Sequence, residues 1–159
     1  MFNNKRYAQA LVAFRRAEET WNVAICHAFL LRENARAVPN DQVKKRTEAF
    51  AEAGEAFSTC ASESLPHQEK QRLTYFTNAA KCFVLGHRLK EAGDCFVHGG
   101  QYSEAARVYR KGGYFDEMVE VLEGHADQIE ANLLIQLTKV AQMNYLKVGK
   151  TANYKRSSD

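Results

Sequence analysis

The stretch AGDCFVHGGQYSEAARVYRKGGYFDE, residues 92–117, decides the fold because it contains one pattern twice. It lies within four consecutive blocks of thirteen residues, which begin at residue 79 and end at residue 130. These blocks are AAKCFVLGHRLKE, AGDCFVHGGQYSE, AARVYRKGGYFDE and MVEVLEGHADQIE. A fixed period of this kind indicates a chain built from repeated structural units.

Three columns of these blocks carry the pattern. They are a large apolar column, a glycine column and a second apolar column: Phe83, Phe96, Tyr109 and Leu122; Gly86, Gly99 and Gly112; Leu89, Tyr102 and Phe115. Apolar or small residues also recur at i, i+3 and i+7, as in Leu89, Ala92 and Phe96, and this spacing lines one face of a helix. We expect the glycines to end the helices, where a positive φ is needed.

The predicted helices are too short to be stable alone, because isolated helices below about 12 to 15 residues barely form in water. Neighbouring helices must therefore stabilise one another. Short connections make successive helices antiparallel, and each presents a similar apolar stripe to the next. The sequence predicts an all-α fold of antiparallel helical hairpins that stack as an α-solenoid.

The spacing of small and aromatic residues in this region resembles a known repeat. Its small, aromatic, aromatic, alanine, aromatic and small positions are Gly93, Phe96, Tyr102, Ala105, Tyr109 and Gly112. This order resembles a tetratricopeptide repeat (TPR), which implies that residues 89–112 form one TPR-like hairpin. Leu89 stands where the family most often has tryptophan, and Glu117 where it often has proline. A second-helix pattern of the same kind occurs near the start of the chain, without a first helix before it: Tyr7, Ala10, Phe14 and Ala17.

The remaining helices are predicted from longer amphipathic segments. Their expected ranges are about 4–17, 20–37, 41–62, 68–85 and 126–146. In the last of these, Asp127 and Glu130 are spaced like a capping pair at the helix start. We expect residues 1–148 to form one TPR-like helical repeat domain and residues 149–159 to form a basic flexible tail.

The order of the helical segments resembles a narrower group of proteins. From YAQALVAFRRAEETWNVAICHAFLLRENAR through AFAEAGEAFSTCA and RLTYFTNAAKCFVLG to the thirteen-residue blocks, the order is similar to the helical region of large fungal proteins that carry a UvrD-like helicase domain. These are related to the TPR and ankyrin repeat-containing proteins. The resemblance covers about residues 2–124, and it implies a scaffold portion without the helicase motor.

Composition favours a folded intracellular protein. The chain has 159 residues, of which 45% are hydrophobic and 26% charged, and its net charge is +3. No apolar run has the length of a signal peptide or of a membrane span, so we expect no membrane association and a cytoplasmic or nuclear location. The four cysteines fit that location as reduced, mostly buried thiols: Cys26, Cys60, Cys82 and Cys95.

Possible catalytic and metal motifs are incomplete. The segment VGKT, residues 148–151, lacks the glycine that a phosphate-binding loop requires, because Asn144 stands at that position. Cys82, His87, Cys95 and His98 do not have the two paired spacings of a zinc site. Cys26 and His27 are adjacent, so on a helix they point in different directions. We expect no enzyme activity, no catalytic residue, no cofactor and no metal.

Two acidic pairs near the end of the repeat blocks are candidate acid–base residues. Asp116 with Glu117, and Glu120 with Glu123, are more typical of a solvated outer helix face than of a catalytic pair.

A binding surface remains the best interpretation. Lys90, Asp94 and His98 recur at four-residue steps along one side of their helix, which in TPR-like repeats often lines the concave groove. We expect these residues to contact a protein or peptide partner, or an adjacent domain of a longer chain. The alternative is a nucleic-acid-binding accessory module that uses a separate basic set with the tail: Arg15, Arg16, Lys44, Lys45 and Arg46.

Overall fold

The chain is helical throughout its described part. The structure, a computed structural model, describes the backbone of residues 4–158 and the side chains of residue 6 and residues 8–147. Within those limits it contains seven α-helices and two short 3₁₀ turns, and no strand. The prediction of an all-α protein is therefore confirmed.

Contacts between Cα atoms divide the chain into two compact units between Arg88 and Leu89. The first unit holds α1 (Asn4–Ala37), α2 (Val43–Ser62), a 3₁₀ turn (Pro66–Gln68) and α3 (Glu69–Leu85). The second holds α4 (Leu89–His98), α5 (Tyr102–Gly112), α6 (Phe115–Gly124), a 3₁₀ turn (Ala126–Gln128) and α7 (Ala131–Ser158). The three short helices α4, α5 and α6 begin at the residues of the second apolar column.

Helix α1 differs from the prediction of two helices over residues 4–17 and 20–37. It is one continuous helix of 34 residues. The residues between the two expected segments, Glu18 and Glu19, are good helix formers, and no glycine or proline interrupts them. The break was therefore wrongly predicted, since nothing local ends the helix before Ala37.

Helix α7 also differs from its predicted start. Asp127 lies in the 3₁₀ turn, and α7 begins only after Glu130, whose carbonyl accepts the amide of Leu134. Asp127 and Glu130 therefore do not form the expected capping pair at the start of α7. The helix continues to Ser158, within the segment predicted to be a basic tail, and the side chains of residues 149–159 lie outside the described part of the chain.

The first unit is held together by aromatic side chains from all three of its helices. Phe50 and Phe57 of α2 are fully buried. Phe29 of α1 meets Phe57 edge to face, with ring centroids 5.1 Å apart. Trp21 donates a buried hydrogen bond of 2.7 Å from Nε1 to the carbonyl of Cys60. These contacts fix the middle of α1 against α2, and Tyr75 of α3 packs edge to face on Trp21.

The ends of the short helices share one hydrogen-bonded turn. The amide of Gln101 donates to the carbonyl of Phe96, and the amide of Tyr114 donates to that of Tyr109. In each turn the preceding amide, of Gly100 or Gly113, also bonds back to the helix, as in a Schellman motif. The end of α3 repeats the arrangement at Arg88, His87 and Phe83.

The left-handed residue of each turn is not the one that the sequence suggested. Positive φ values occur at His87 (55°), Gly100 (75°) and Gly113 (79°), one position after the predicted glycine column. That column serves close packing instead, because a Cβ on Gly86 would lie 2.7 Å from the backbone nitrogen of Ala51. Gly112 would similarly meet the ring of Tyr114 at 2.7 Å.

The second unit buries the apolar faces that the thirteen-residue period predicted. Ala92 and Phe96 of α4 and Ala105 and Tyr109 of α5 are buried, and α5 packs in turn on α6. Met118 of α6 is fully buried. Helix α7 covers α6 with a third row of apolar residues: Leu133, Leu137 and Ala141. Among the described residues, no helix combines the length and apolar character needed to cross a membrane.

Candidate functional site

A pocket of about 380 Å³ lies in the second unit, where residues of α4, α5 and α6 converge. Its walls are side chains of α4 and α6, and Tyr109 of α5 lies between them. The residues that line it are Lys90, Asp94, Val97, His98, Tyr109, Glu117, Glu120, Val121 and His125. Seven of these nine residues have a polar or charged side chain, so the pocket offers hydrogen-bonding groups to a ligand or side chain.

The three residues predicted to bind a partner all line this pocket. Lys90, Asp94 and His98 follow one another at four-residue steps, which on an α-helix places them on the same side. The short helix α4 presents that side to the pocket because its opposite side, with Ala92 and Phe96, is buried. The structure thus brings the three side chains together, and their role in partner binding remains a prediction.

Asp94 is the centre of the hydrogen bonds in the pocket. The hydroxyl of Tyr109 donates to Oδ1 of Asp94 at 2.5 Å. The ammonium of Lys90 donates to Oδ2 at 3.2 Å and forms an ion pair one helical turn away. Both carboxylate oxygens therefore have a donor, which fixes the orientation of this side chain at the pocket wall.

The position of Tyr109 depends on Gly93. A Cβ at residue 93 would lie 2.2 Å from Cε1 of Tyr109, which is far inside van der Waals contact. The absence of a side chain there allows the ring to cross α4 and its hydroxyl to reach Asp94. Gly93 is therefore required by the site as well as by the packing of α4 on α5.

Two side chains of the pocket have shifted pKa values. Burial, and then the hydrogen bond to Asp94, raise the pKa of the Tyr109 hydroxyl above its usual range. The hydrogen bond and charge of Asp94 raise the pKa of Lys90, and Glu117 contributes to the same direction. Tyr109 is therefore a neutral hydrogen-bond donor and Lys90 a cation at neutral pH.

The acidic wall of the pocket comes from α6. Glu117 and Glu120 both line it, and neither forms a hydrogen bond or ion pair with a described residue. The sequence pattern of these two carboxylates predicted an outer, solvated face. Glu120 is exposed and Glu117 half-buried, but both point to the side of α6 that faces the pocket. The i, i+3 spacing of Glu117 and Glu120 indicates that they lie on the same side of the helix.

Asp116, the neighbour of Glu117, has a different environment. It accepts a hydrogen bond of 2.8 Å from the hydroxyl of Tyr145 in α7. Asp116 therefore faces α7 whereas Glu117 faces the pocket, because adjacent residues of a helix point in different directions.

The far end of the pocket is formed by His125, which follows α6. Its ring stacks on that of Tyr102, with centroids 3.6 Å apart and planes 10° from parallel. Tyr102 belongs to the second apolar column, and besides packing it positions the ring of His125 by stacking. His125 was not among the predicted site residues, because its only distinctive feature in the sequence is that it replaces glycine in the fourth block.

Carboxylates outnumber ammonium groups among the side chains that line the pocket. Asp94, Glu117 and Glu120 supply three carboxylates against the single ammonium of Lys90. Because the Asp94 carboxylate is already paired, the carboxylates of α6 are the acceptors that remain for a ligand. None of the lining side chains is a cysteine or serine.

The candidate zinc ligands of the sequence are cysteines and histidines. Cys60, Cys82 and Cys95 are buried free thiols, and burial raises the pKa of the first two. Cys26 is exposed, so three of the four cysteines are buried, which agrees with the expectation of a mostly buried set. In the described part of the chain, no three His, Cys, Asp or Glu residues are grouped as a metal site would require. The side chains of VGKT lie outside the described residues.

The basic residues of the nucleic-acid hypothesis have two different environments. Arg15, Arg16, Lys44 and Lys45 are exposed. Arg46 instead donates hydrogen bonds of 3.3 and 2.9 Å to the carbonyls of Ala35 and Val38, at the end of α1. These bonds hold Arg46 against the C-terminal end of α1, so it has a structural role.

No family model, curated protein or solved structure matches this chain.

Proposed function

We propose that this protein is a non-enzymatic helical-repeat scaffold that binds a protein or peptide partner through the pocket of α4, α5 and α6. The observation that carries the proposal is the convergence of Lys90, Asp94 and His98 with the acidic residues of α6 around one polar pocket. Its excess of carboxylates favours a partner segment that presents a lysine or arginine side chain.

The arrangement we propose for the short helices is a TPR-like α-solenoid of antiparallel hairpins. The period of thirteen residues, the repeated Schellman turns and the contacts of α4 with α5 and of α5 with α6 support it. In such a solenoid, alternate helices line one side, which agrees with the contribution of both α4 and α6 to the pocket.

A charge-reversal experiment tests the binding role. We expect the wild-type chain, used as bait, to retain partners that the variant Glu117→Lys/Glu120→Lys loses. Glu123→Lys/Asp127→Lys is the matched control, because it makes the same charge change at exposed residues outside the pocket. Retention of the same partners by the pocket variant would refute the assignment, and so would the absence of any partner that distinguishes the two variants.

The wider context we propose is a larger protein with a UvrD-like helicase domain, for which this chain supplies a helical scaffold. The support is the order of helical segments over residues 2–124. Sequencing of the transcript tests it: an open reading frame that joins this segment to helicase motifs is expected. A transcript that encodes no such motifs would contradict it.

Nucleic-acid binding is the second candidate, favoured by two pairs of exposed basic residues, Arg15 with Arg16 and Lys44 with Lys45. Binding of single-stranded DNA or RNA would weaken steeply with salt, because Lys and Arg release counterions from phosphates. The variant Lys44→Gln/Lys45→Gln should then reduce the salt dependence. Equal binding by this variant and the wild type would remove the second candidate.

A further inference from the structure

Helix α1 carries an exposed seam along most of its length. Val12, Arg16, Glu19, Val23, Cys26 and Leu30 are separated by alternating steps of four and three residues, and all six are exposed. At 3.6 residues per turn these positions fall within an arc of roughly 80° on one side of the helix. The opposite side holds Trp21, Ile25 and Ala28, which are buried in the first unit.

This spacing is the heptad pattern of a coiled coil, with the six residues at a and d positions. Its apolar members are unusually open for large side chains: Val12 is 50% exposed, Val23 70% and Leu30 58%. Neither Arg16 nor Glu19 forms an ion pair or hydrogen bond with any described residue. The seam therefore has both apolar surface and charges that lack a partner within the described chain.

The seam is complementary to itself when a second copy lies antiparallel. If a two-fold axis passes between residues 17 and 18, residues at equal distances from that point meet across the axis. Val12 then meets Val23 of the second copy, and Arg16 meets Glu19. Each pair occurs twice, and a and d positions face each other, as antiparallel coiled coils require.

We propose that the seam of α1 is a homodimer interface, in which two copies pair antiparallel with Arg16 of one copy against Glu19 of the other. Apolar contacts of Val12 with Val23 flank this central ion pair on both sides. The charged layer sets the register, because any slip along the helix places an arginine or glutamate against an apolar residue. A parallel pair would instead place Arg16 against Arg16 and Glu19 against Glu19.

The first test is charge reversal on the 159-residue chain, followed by sedimentation equilibrium up to about 0.5 mM. Arg16→Glu alone and Glu19→Arg alone should each weaken dimerisation by at least about 10-fold, because each places like charges together. The double variant Arg16→Glu/Glu19→Arg should restore it. Arg6→Glu is the control, since this exposed arginine of α1 lies outside the seam. Circular dichroism verifies that each variant remains helical.

The second test reads the register by disulfide formation. The axis places Gln9 of one copy opposite Cys26 of the other, so Gln9→Cys should form an intermolecular disulfide under mild oxidation. The further substitution Cys26→Ser should abolish it. The two native Cys26 residues lie about 25 Å apart in this register, so the wild type should not cross-link.

Either test can overturn the proposal. A wild-type chain that stays monomeric throughout the concentration range would refute the interface. A dimer that the single charge reversals leave unchanged, or a wild-type disulfide between two Cys26 residues, would refute the antiparallel register.

Discussion

The hydroxyl of Tyr109 in α5 donates a hydrogen bond to the carboxylate of Asp94 in α4, across a point where α4 has no side chain. This contact joins the packing of two repeat helices to the wall of the candidate pocket. Because Gly93 makes the contact possible, the same residue supports both the fold and the site.

Removal of the Tyr109 hydroxyl should destabilise the second unit. Tyr109→Phe keeps the ring but leaves the partly buried Asp94 without one donor, which should lower the free energy of unfolding by about 1 to 3 kcal/mol. Urea denaturation followed by circular dichroism measures it. Tyr114→Phe is the control, because the Tyr114 hydroxyl makes no hydrogen bond with described residues, and it should change stability little. Equal losses in both variants would contradict the role of Asp94.

The same hydrogen bond should produce a dependence of stability on alkaline pH. The pKa of Tyr109 is raised in the folded protein, so folding favours its protonated form. The resulting stabilisation is complete below about pH 10, the ordinary pKa of tyrosine, and is lost as pH rises above it. The unfolding free energy of the wild type should therefore fall more steeply above pH 10 than that of Tyr109→Phe. Parallel curves would show that Tyr109 titrates normally.

A methyl group at residue 93 should disturb the packing of α4 on α5. Gly93→Ala places a Cβ 2.2 Å from Tyr109, and we expect a loss of about 1 to 3 kcal/mol despite the better helix propensity of alanine. Gly124→Ala provides the matched control, since a Cβ there meets nothing within 4 Å. Thermal or urea unfolding compares the two variants. A neutral effect of Gly93→Ala would mean that the ring moves aside at little cost.

The Schellman turns predict opposite effects of two exchanges. His87 has a left-handed backbone (φ 55°), whereas Gly100 has the same geometry without a side chain (φ 75°). His87→Gly should raise stability by about 0.5 to 1 kcal/mol, because it relieves a conformation that side chains disfavour. Gly100→His should lower it by a similar amount, and thermal unfolding measures both. A loss of stability in His87→Gly would show that the imidazole makes a contact that outweighs this strain.

The alanine that faces the α4–α5 contact should not tolerate a larger side chain. Ala105 is fully buried, so a larger side chain has no open space to occupy there. Ala105→Leu should cost about 1 to 3 kcal/mol through overpacking. Ala126→Leu, at an exposed position, is the control. Comparable unfolding midpoints for both variants would contradict the tight packing at Ala105.

The sequence was most informative where packing repeats. The starts of α4, α5 and α6 coincide with Leu89, Tyr102 and Phe115, because each helix must present the same apolar spacing to a neighbour. Periodicity could not locate the left-handed residue of each turn. It shows that a glycine recurs at a position, but it does not distinguish a glycine needed for a positive φ from one needed for close packing. Gly86 and Gly112 of the glycine column instead make close contacts, such as that of Gly86 with Ala51.

The candidate site was only half predictable for a physical reason. Lys90, Asp94 and His98 lie on one helix, so their common side follows from the geometry of that helix alone. Glu117 and His125 join them through the packing of separate helices, which no local spacing specifies. The continuity of α1 was not predicted for a different reason. Its first half is exposed, so the apolar pattern there gives little information about where the helix ends.

Trp21 is the only tryptophan of the chain, and it is buried against Cys60 in the first unit. Its emission, excited selectively near 295 nm, therefore reports the environment of that unit alone, while the second unit contributes only to the tyrosine signal. The protein thus contains a natural spectroscopic label that separates its two halves. A melting curve recorded by indole fluorescence and one recorded by far-ultraviolet dichroism should superimpose only if both halves unfold together.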